Sequence, residues 1–516
     1  MTFPILIYSF LLYPHYSILE HQQNKQFRAH FMIDFSKKIT SDRPFYTKTR
    51  NTPKELIRDF ESDRGRIINS AAVRRLQQKT QVFPLERNSA VRSRLTHSLE
   101  VQQVGRFIVQ SIFNQLAQSE LEKYRLVELE RHLESIVEMA CLMHDIGNPP
   151  FGHFGEEAIN NWFANNLYDT LPTTNGNKLQ LNTELTRDIS HFEGNAQAIR
   201  LIHKLLRLNL TYSQVAAIMK YTRCGTEIKP DEKTDLHYLK KKVGYYFSEK
   251  EFILTLCKQQ NMTLGHRHPA TYIMEAADDI SYCIADLEDA VEKDILDVNK
   301  LSQLLCEEYS VIACEYKLSS DKEDVMQKII NRALNASKND EICQDSQFFI
   351  SLRVGVTHPL VEHATNRFID NIETVYEGSF NQALLEDKSH AHAITETFKQ
   401  VALKHVFCHK EVETRELQGY KIITGLLECY KTLLQLNQAD FNKVIKQEKE
   451  APLVAKRLYK KLPQKHIRAY QSNLQSNTSM TEELEFYYRC RLLQDYISGM
   501  TDQFAYDEYR TLMVID

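Results

Sequence analysis

Leu142-Met143-His144-Asp145-Ile146-Gly147-Asn148-Pro149-Pro150-Phe151-Gly152-His153-Phe154-Gly155-Glu156 places four reactive side chains at the end of an apolar run. The preceding segment, Leu133 to Met143, has helical spacing. Ile136, Val137, Met139, Ala140, Leu142 and Met143 make it apolar almost all round, the pattern of a buried helix. It delivers the adjacent pair His144-Asp145 and then stops at Gly147, Asn148, Pro149 and Pro150, because proline cannot continue a helix. His153 and Glu156 follow on the turn and at the start of the next helix. An unpaired aspartate at a buried helix end is costly, since desolvation disfavours its charge, and a divalent cation removes that cost. The stretch therefore predicts a metal site with acid–base groups beside it.

The missing ligands lie on either side in the chain. Upstream, Arg92, Arg94 and Leu95-Thr96-His97-Ser98-Leu99-Glu100-Val101 open a second helix. Downstream, Ile273, Ala277, Ile280, Ile284 and Leu287 give the apolar pattern of an amphipathic helix over Tyr272 to Asp289. On it Asp278, Tyr282 and Asp286 recur every fourth position and share one face. A carboxylate, an aromatic ring and a second carboxylate in that order can hold a metal, a sugar and a sugar hydroxyl. His97, His144, Asp145 and Asp278 together suit Mg²⁺, Mn²⁺, Fe²⁺ or Ni²⁺, with positions left for water and a phosphate oxygen, and do not form a structural zinc set.

At 516 residues the chain is long enough for a large core and two or three domains, and a net charge of −4 means that phosphate contacts must come from local basic clusters. One such cluster is Arg64, Arg66, Arg74, Arg75 and Lys79, expected to bind phosphate or another subunit; another is Lys240-Lys241-Lys242. The ten cysteines form no CxxC pair, so they read as reduced thiols of a cytoplasmic protein. Helical spacing runs over Thr52 to Gln78, with Thr52-Pro53 as N-cap and first residue, and another helix is expected to end at Met219-Lys220-Tyr221-Thr222-Arg223. Polar stretches at Leu167 to Thr183 and near 224–235 read as loops, and residues beyond 300 as further helices. Phe3 to Leu19 is apolar but interrupted by Pro4 and Pro14 and too short to span a bilayer; Met32 reads as the natural start, with residues 1–31 an upstream extension.

The order His…His-Asp…Asp is similar to that of the HD metal-dependent phosphohydrolases. A longer resemblance, to the bacterial dGTP triphosphohydrolases, is carried by Glu61 to Ser70, Arg75 to Pro84, the His144 stretch, Glu275 to Tyr282, Glu416-Leu417-Gln418-Gly419-Tyr420 and Arg491 to Met500. It runs from about Ile33 to the C-terminus. It implies an all-α fold, with an HD-type catalytic core over 32–300 and a helical region over 301–516 that completes the pocket and oligomer contacts. It also implies cleavage of dGTP to deoxyguanosine and inorganic triphosphate with Mg²⁺ or Mn²⁺, by a homo-oligomer (tetramer or hexamer), with single-stranded DNA as a regulator and no membrane.

Residue by residue, the resemblance implies that His97, His144, Asp145 and Asp278 hold the metal, and that His153 acts as base or nucleophile with Glu156 orienting it. Lys220, Lys242, Asn195 and Tyr221 would contact the phosphates. Tyr282 would stack on deoxyribose, Gln81 and Asp286 would bind the 3′-hydroxyl, and Glu416 would meet guanine. The rival expectations are an HD phosphohydrolase of a guanosine polyphosphate or nucleoside monophosphate, and a nucleic-acid-binding protein with a vestigial site. The presence of every ligand and both acid–base groups weighs against the second.

Overall fold

The computed structural model describes residues 32–45, 52–174, 176–318, 325–338, 342–476 and 480–515, so the expectations for residues 1–31 lie outside the described residues. The main helices are α1 (Pro53–Ile68), α2 (Arg94–Gln115), α3 (Glu130–Met143), α4 (Gly152–Thr170), α5 (Gly194–Arg200), α6 (Pro269–Glu292), α7 (Gln344–Asp370), α8 (His390–Ala402), α9 (Lys410–Gln435), α10 (Glu482–Ser498) and α11 (Asp502–Met513). Strand among the described residues is confined to a hairpin, Thr173–Thr174 with Asn177–Lys178, and a parallel pair, Arg223–Cys224 with Val243–Tyr245. The fold is all-α, as the sequence predicts. No helix among the described residues is long and apolar enough to cross a membrane.

α2, α3 and α6 pack against one another and carry the metal-ligand candidates. Ser93 caps α2: its Oγ accepts from the Thr96 N–H at 3.3 Å, and its own N–H donates to Thr96 Oγ1 at 3.0 Å. That box fixes the first turn, on which His97 stands. Pro269 opens α6, where a missing N–H costs nothing, and His268 Nδ1 accepts from the Ala270 N–H at 3.2 Å. Gly105 lets the three helices close, since a Cβ there would lie 2.7 Å from Cys141 Sγ on α3 and 3.5 Å from Ala277 Cβ on α6. α7 lies against α2 and α6, and α8 against α6, within one apolar cluster; α9 packs on α4, α10 and α11 within a second.

Four local expectations are corrected. Thr52 to Gln78 is two helices, because Ser70 breaks the run and caps a new turn (Ala71–Leu76) by accepting the Val73 N–H at 3.2 Å. α3 starts at Glu130, a turn before Leu133. The polar stretch from Leu167 is partly ordered, with α4 reaching Thr170 before the hairpin. The helix before Lys220 ends at Ala217: pairing of Arg223–Cys224 with Val243–Tyr245 takes the backbone that the helix would have used. The Arg64–Lys79 cations do not form one basic patch either. Arg64 pairs with Glu138, Arg66 donates to the Leu208 carbonyl at 3.0 Å, and Lys79 is buried.

Gly105→Val should separate α2 from α3 and lower stability by about 1–3 kcal/mol, the usual range for overpacking. Thermal unfolding of the variant checks this, with Gly65→Ala as control, since Gly65 has nothing within 4 Å of its added Cβ.

Candidate active site

The three helices bring His97, His144 and Asp278 to one point. His97 Nε2 lies 3.3 Å and His144 Nε2 3.4 Å from the same oxygen, Asp278 Oδ1. The imidazole rings stand edge to face with centroids 5.6 Å apart. His144 Nδ1 sits 2.6 Å from the Cys141 carbonyl and donates to it, which turns Nε2 toward Asp278. The donor atoms of the three residues all lie within 4.8 Å of one another. Two imidazoles and a carboxylate converging in this way fit a divalent cation with open positions. Burial alone would raise the Asp278 pKa; His144, His97 and Lys220 together hold it far below the carboxylate range.

Asp145 is less free than its neighbour. Its Oδ1 is 3.6 Å from His144 Nε2 but also accepts from Asn148 Nδ2 at 2.7 Å, and its Oδ2 pairs with Arg94. Burial pushes the Asp145 pKa up, and the Arg94 guanidinium overrides this to hold it at about 2. Arg94 and Asn148 thus shape the site although sequence reasoning gave them no role. The available signal was their spacing, three residues before His97 and three after Asp145.

Gly147 sets the turn that follows. A Cβ there would lie 1.9 Å from the Gly194 carbonyl oxygen and 2.4 Å from the Ala198 nitrogen, so the turn presses directly on the backbone of α5. Phe151 then adopts a left-handed conformation (φ 63°) before α4 begins. On the first turn of α4, His153 Nδ1 donates to Glu156 Oε2 at 3.2 Å, while Glu156 Oε1 accepts from the Gly194 N–H at 2.8 Å. Burial would raise the Glu156 pKa, but the His153 hydrogen bond and the charges of His153 and Lys242 bring it below normal. The His153 side chain is 85% exposed, against 10% for Glu156, so the imidazole is presented to the cavity on a fixed, buried carboxylate.

A cavity of about 350 Å³ joins these groups, lined also by Gln81, Asn195, Lys220, Tyr221, Lys242, Tyr282 and Glu416. Cavities of about 630 and 690 Å³ lie elsewhere, so chemistry and not size marks this one. Of the residues singled out from sequence, only His97 and Asp286 do not line it. His97 is fully buried in contact with Asp278, and Asp286 is fully buried. Gln81 Oε1 is buried without a hydrogen-bond partner among the described residues, and the buried Asp286 carboxylate has only the Tyr282 hydroxyl beside it. Burial and the nearby Asp289 charge drive the Asp286 pKa well up. Lys220 Nζ is 3.7 Å from both Glu275 and Asp278, and burial is outweighed by these acids, which raise its pKa. Lys242 Nζ lies 3.3 Å from Glu193, a carboxylate the sequence reading passed over although it stands two positions before Asn195. Asn195 Nδ2 donates to the same Glu193 oxygen at 2.9 Å.

The HD domain family matches residues 94–221, the segment that supplies His97, His144, Asp145, His153 and Glu156, and the phosphohydrolase-associated domain family matches residues 431–511. Fold and site together are those of an HD-domain phosphohydrolase. Over 497 residues the chain is 52% identical to the probable deoxyguanosinetriphosphate triphosphohydrolase of Pseudomonas aeruginosa, covering 94% of this chain and 99% of that protein. It is 50% identical to the deoxyguanosinetriphosphate triphosphohydrolases of Serratia proteamaculans and Yersinia enterocolitica, again over 94% of this chain and 99% of each relative. The chain belongs to the deoxyguanosinetriphosphate triphosphohydrolase family.

Two outcomes are expected. Gly147→Ala should cut activity by at least about 100-fold, because a shift of about 1 Å at the turn misplaces both the ligands and His153; initial rates with the folded variant check this. Mn²⁺ at about 100 times its Kd should stabilise the protein by roughly 2.7 kcal/mol through mass action, and His144→Ala should abolish that gain. Thermal shift with and without the metal measures it.

Proposed function

We propose that this protein hydrolyses dGTP to deoxyguanosine and inorganic triphosphate in a divalent-metal-dependent reaction. The observation that carries the reading is the meeting, in one cavity, of the His97–His144–Asp278 donor cluster, the His153–Glu156 pair and the Lys220 and Lys242 ammonium groups. Membership of the family supports the choice of substrate.

His97, His144 and Asp278, with Asp145 beside them, would hold Mg²⁺ or Mn²⁺, which supplies Lewis-acid polarisation of a phosphate oxygen and an activated water. The chain's own residues do the rest. Lys220 and Lys242, with Asn195 and Tyr221, neutralise and align the triphosphate, whose charge of roughly −4 demands fixed cations. His153, held through Nδ1 by Glu156, presents its free edge to the α-phosphorus and acts there as base or nucleophile. Glu156 stabilises the imidazolium that results. Tyr282 stacks on deoxyribose, and Gln81, with an unpartnered buried oxygen, and Asp286, beside the Tyr282 hydroxyl, receive the 3′-hydroxyl. Glu416, whose pKa burial and Glu413 push up to about 7, meets the donors on guanine N1 and N2. The family resemblance further supports a cytoplasmic homo-oligomer regulated by single-stranded DNA.

Incubation of the protein with dGTP and Mn²⁺ or Mg²⁺, followed by separation of products, tests the proposal. Triphosphate and deoxyguanosine are expected in equal amounts; pyrophosphate, or no product, would refute it. His153→Ala should lower kcat by about 10²- to 10⁴-fold, the usual worth of a positioned acid–base group, while leaving the metal-dependent thermal shift in place.

A further inference from the structure

A second cavity, about 420 Å³, shares Glu193 and Lys242 with the catalytic pocket; its wall carries four further cations, Arg187, Arg223, Lys241 and the exposed Lys229, among neutral residues such as Asn160, Phe192 and Val243. None of these four forms an ion pair with a carboxylate among the described residues. Arg223 is 5% exposed, and its guanidinium is fixed by backbone carbonyls, donating to Lys240 at 3.0 Å and to Glu227 at 2.8 Å. Arg187 donates to the Thr226 carbonyl at 2.5 Å. The Lys241 ammonium stands 4.0 Å above the Tyr238 ring. Carbonyls and rings orient these cations without neutralising them, and burial lowers the pKa of both Arg223 and Lys241. Of the nearby acids, the Glu227 carboxylate sits 3.9 Å from Lys240, and Glu193 is occupied by Lys242 and Asn195. Burial and the charge of Glu156 push the Glu193 pKa up to about 7, so even this one wall carboxylate is a weak counter-charge.

Arg187, Arg223 and Lys241 are partly or fully withdrawn from water with acids acting on Arg223 and Lys241 only at longer range, so an anion that meets them directly supplies charge the fold does not place in contact. We propose that this cavity is a binding site for inorganic triphosphate, where the polyanion rests after leaving the catalytic pocket past Lys242. The choice of triphosphate rests on the reaction proposed above. It is favoured by the three oriented cations, Arg187, Arg223 and Lys241, and by the shared Lys242, which ties the cavity to the phosphate end of the pocket. Bound there, triphosphate slows the next turnover by competing for Lys242, so the site makes the protein sensitive to its own product.

The test is calorimetric titration of sodium triphosphate into the full-length, metal-free protein at fixed ionic strength, paired with product inhibition of dGTP hydrolysis. The variant is Arg187→Gln with Lys241→Gln, both half-buried; it keeps both carbonyl contacts of the buried Arg223, the only carbonyl contact it removes is that of Arg187 to Thr226, and thermal unfolding of the variant checks that the fold tolerates this. Loss of two charge-assisted contacts should weaken triphosphate binding about tenfold or more and raise the inhibition constant equally, with initial-rate kcat/KM for dGTP within about twofold of the parent. Unchanged triphosphate binding and inhibition would overturn the proposal. So would an equal fall in kcat/KM, which would assign these cations to the catalytic pocket, or an effect confined to a single-stranded oligodeoxynucleotide. Failure to hydrolyse dGTP at all would refute the proposed reaction, and the titration would still report on whether the cavity takes triphosphate.

Discussion

The carboxylate of Asp502 ties the catalytic turn to the far end of the chain. One oxygen accepts the Phe151 N–H at 3.0 Å; the other accepts the Thr80 N–H at 3.0 Å and the Thr80 hydroxyl at 2.7 Å. Phe151 is in the left-handed conformation, which costs a side-chain-bearing residue roughly 1–2 kcal/mol. A charge-assisted hydrogen bond to its buried N–H is of the same size and offsets that strain. Lys79 completes the junction by donating to the carbonyls of Asn148 and Ser498, and burial drops its pKa to about 7 despite the nearby Asp502. Gln81, Asn148 and His153 each follow or flank an anchored residue. The position of the reactive groups is therefore a property of both apolar clusters, and α11 contributes to the geometry without touching the cavity.

Charges of both signs line the cavity. The Nε2 atoms of His97 and His144 converge on the Asp278 carboxylate. Lys220 stands 3.7 Å from Asp278 itself, and Lys242 lies 3.3 Å from Glu193, both longer than close ion pairs. Glu193 matters here because, under the proposed function, it is the group that Lys242 and Asn195 would exchange for a phosphate. Its raised pKa makes the exchange cheaper, since a proton can replace the departing ammonium.

Much of this was legible because the chemistry is written in local patterns. The apolar run ending at His144-Asp145 and the four-residue spacing of Asp278, Tyr282 and Asp286 survive in the structure as α3 and α6. Periodicity could not reveal interactions that cross the chain. The end of the helix before Lys220 was misplaced because a two-residue parallel pairing with Val243–Tyr245, some twenty positions later, competes for the same backbone. Arg94, Asn148 and Glu193 were passed over because a charged or amide side chain at a helix end ordinarily faces water; only the fold shows them facing Asp145 and Lys242.

The proline pair illustrates the same boundary. Sequence alone makes Pro149-Pro150 a helix stop that sets the spacing between His144 and His153. α3 has already ended at Met143, with His144 as its cap, so the prolines do not terminate it, and they are not sufficient to fix where His153 goes. Gly147 must pass within contact of Gly194 and Ala198, and Gly155 must accept the Pro150 carbonyl where a Cβ would lie 2.0 Å away. Gly194 in turn donates its N–H to Glu156. The metal-ligand turn and the His153–Glu156 pair thus lean on the same residue of α5, through close approaches that only glycine allows. The distance between binding and chemistry is set by three glycines in van der Waals contact with neighbouring backbone, and the prolines serve to stiffen the path between them.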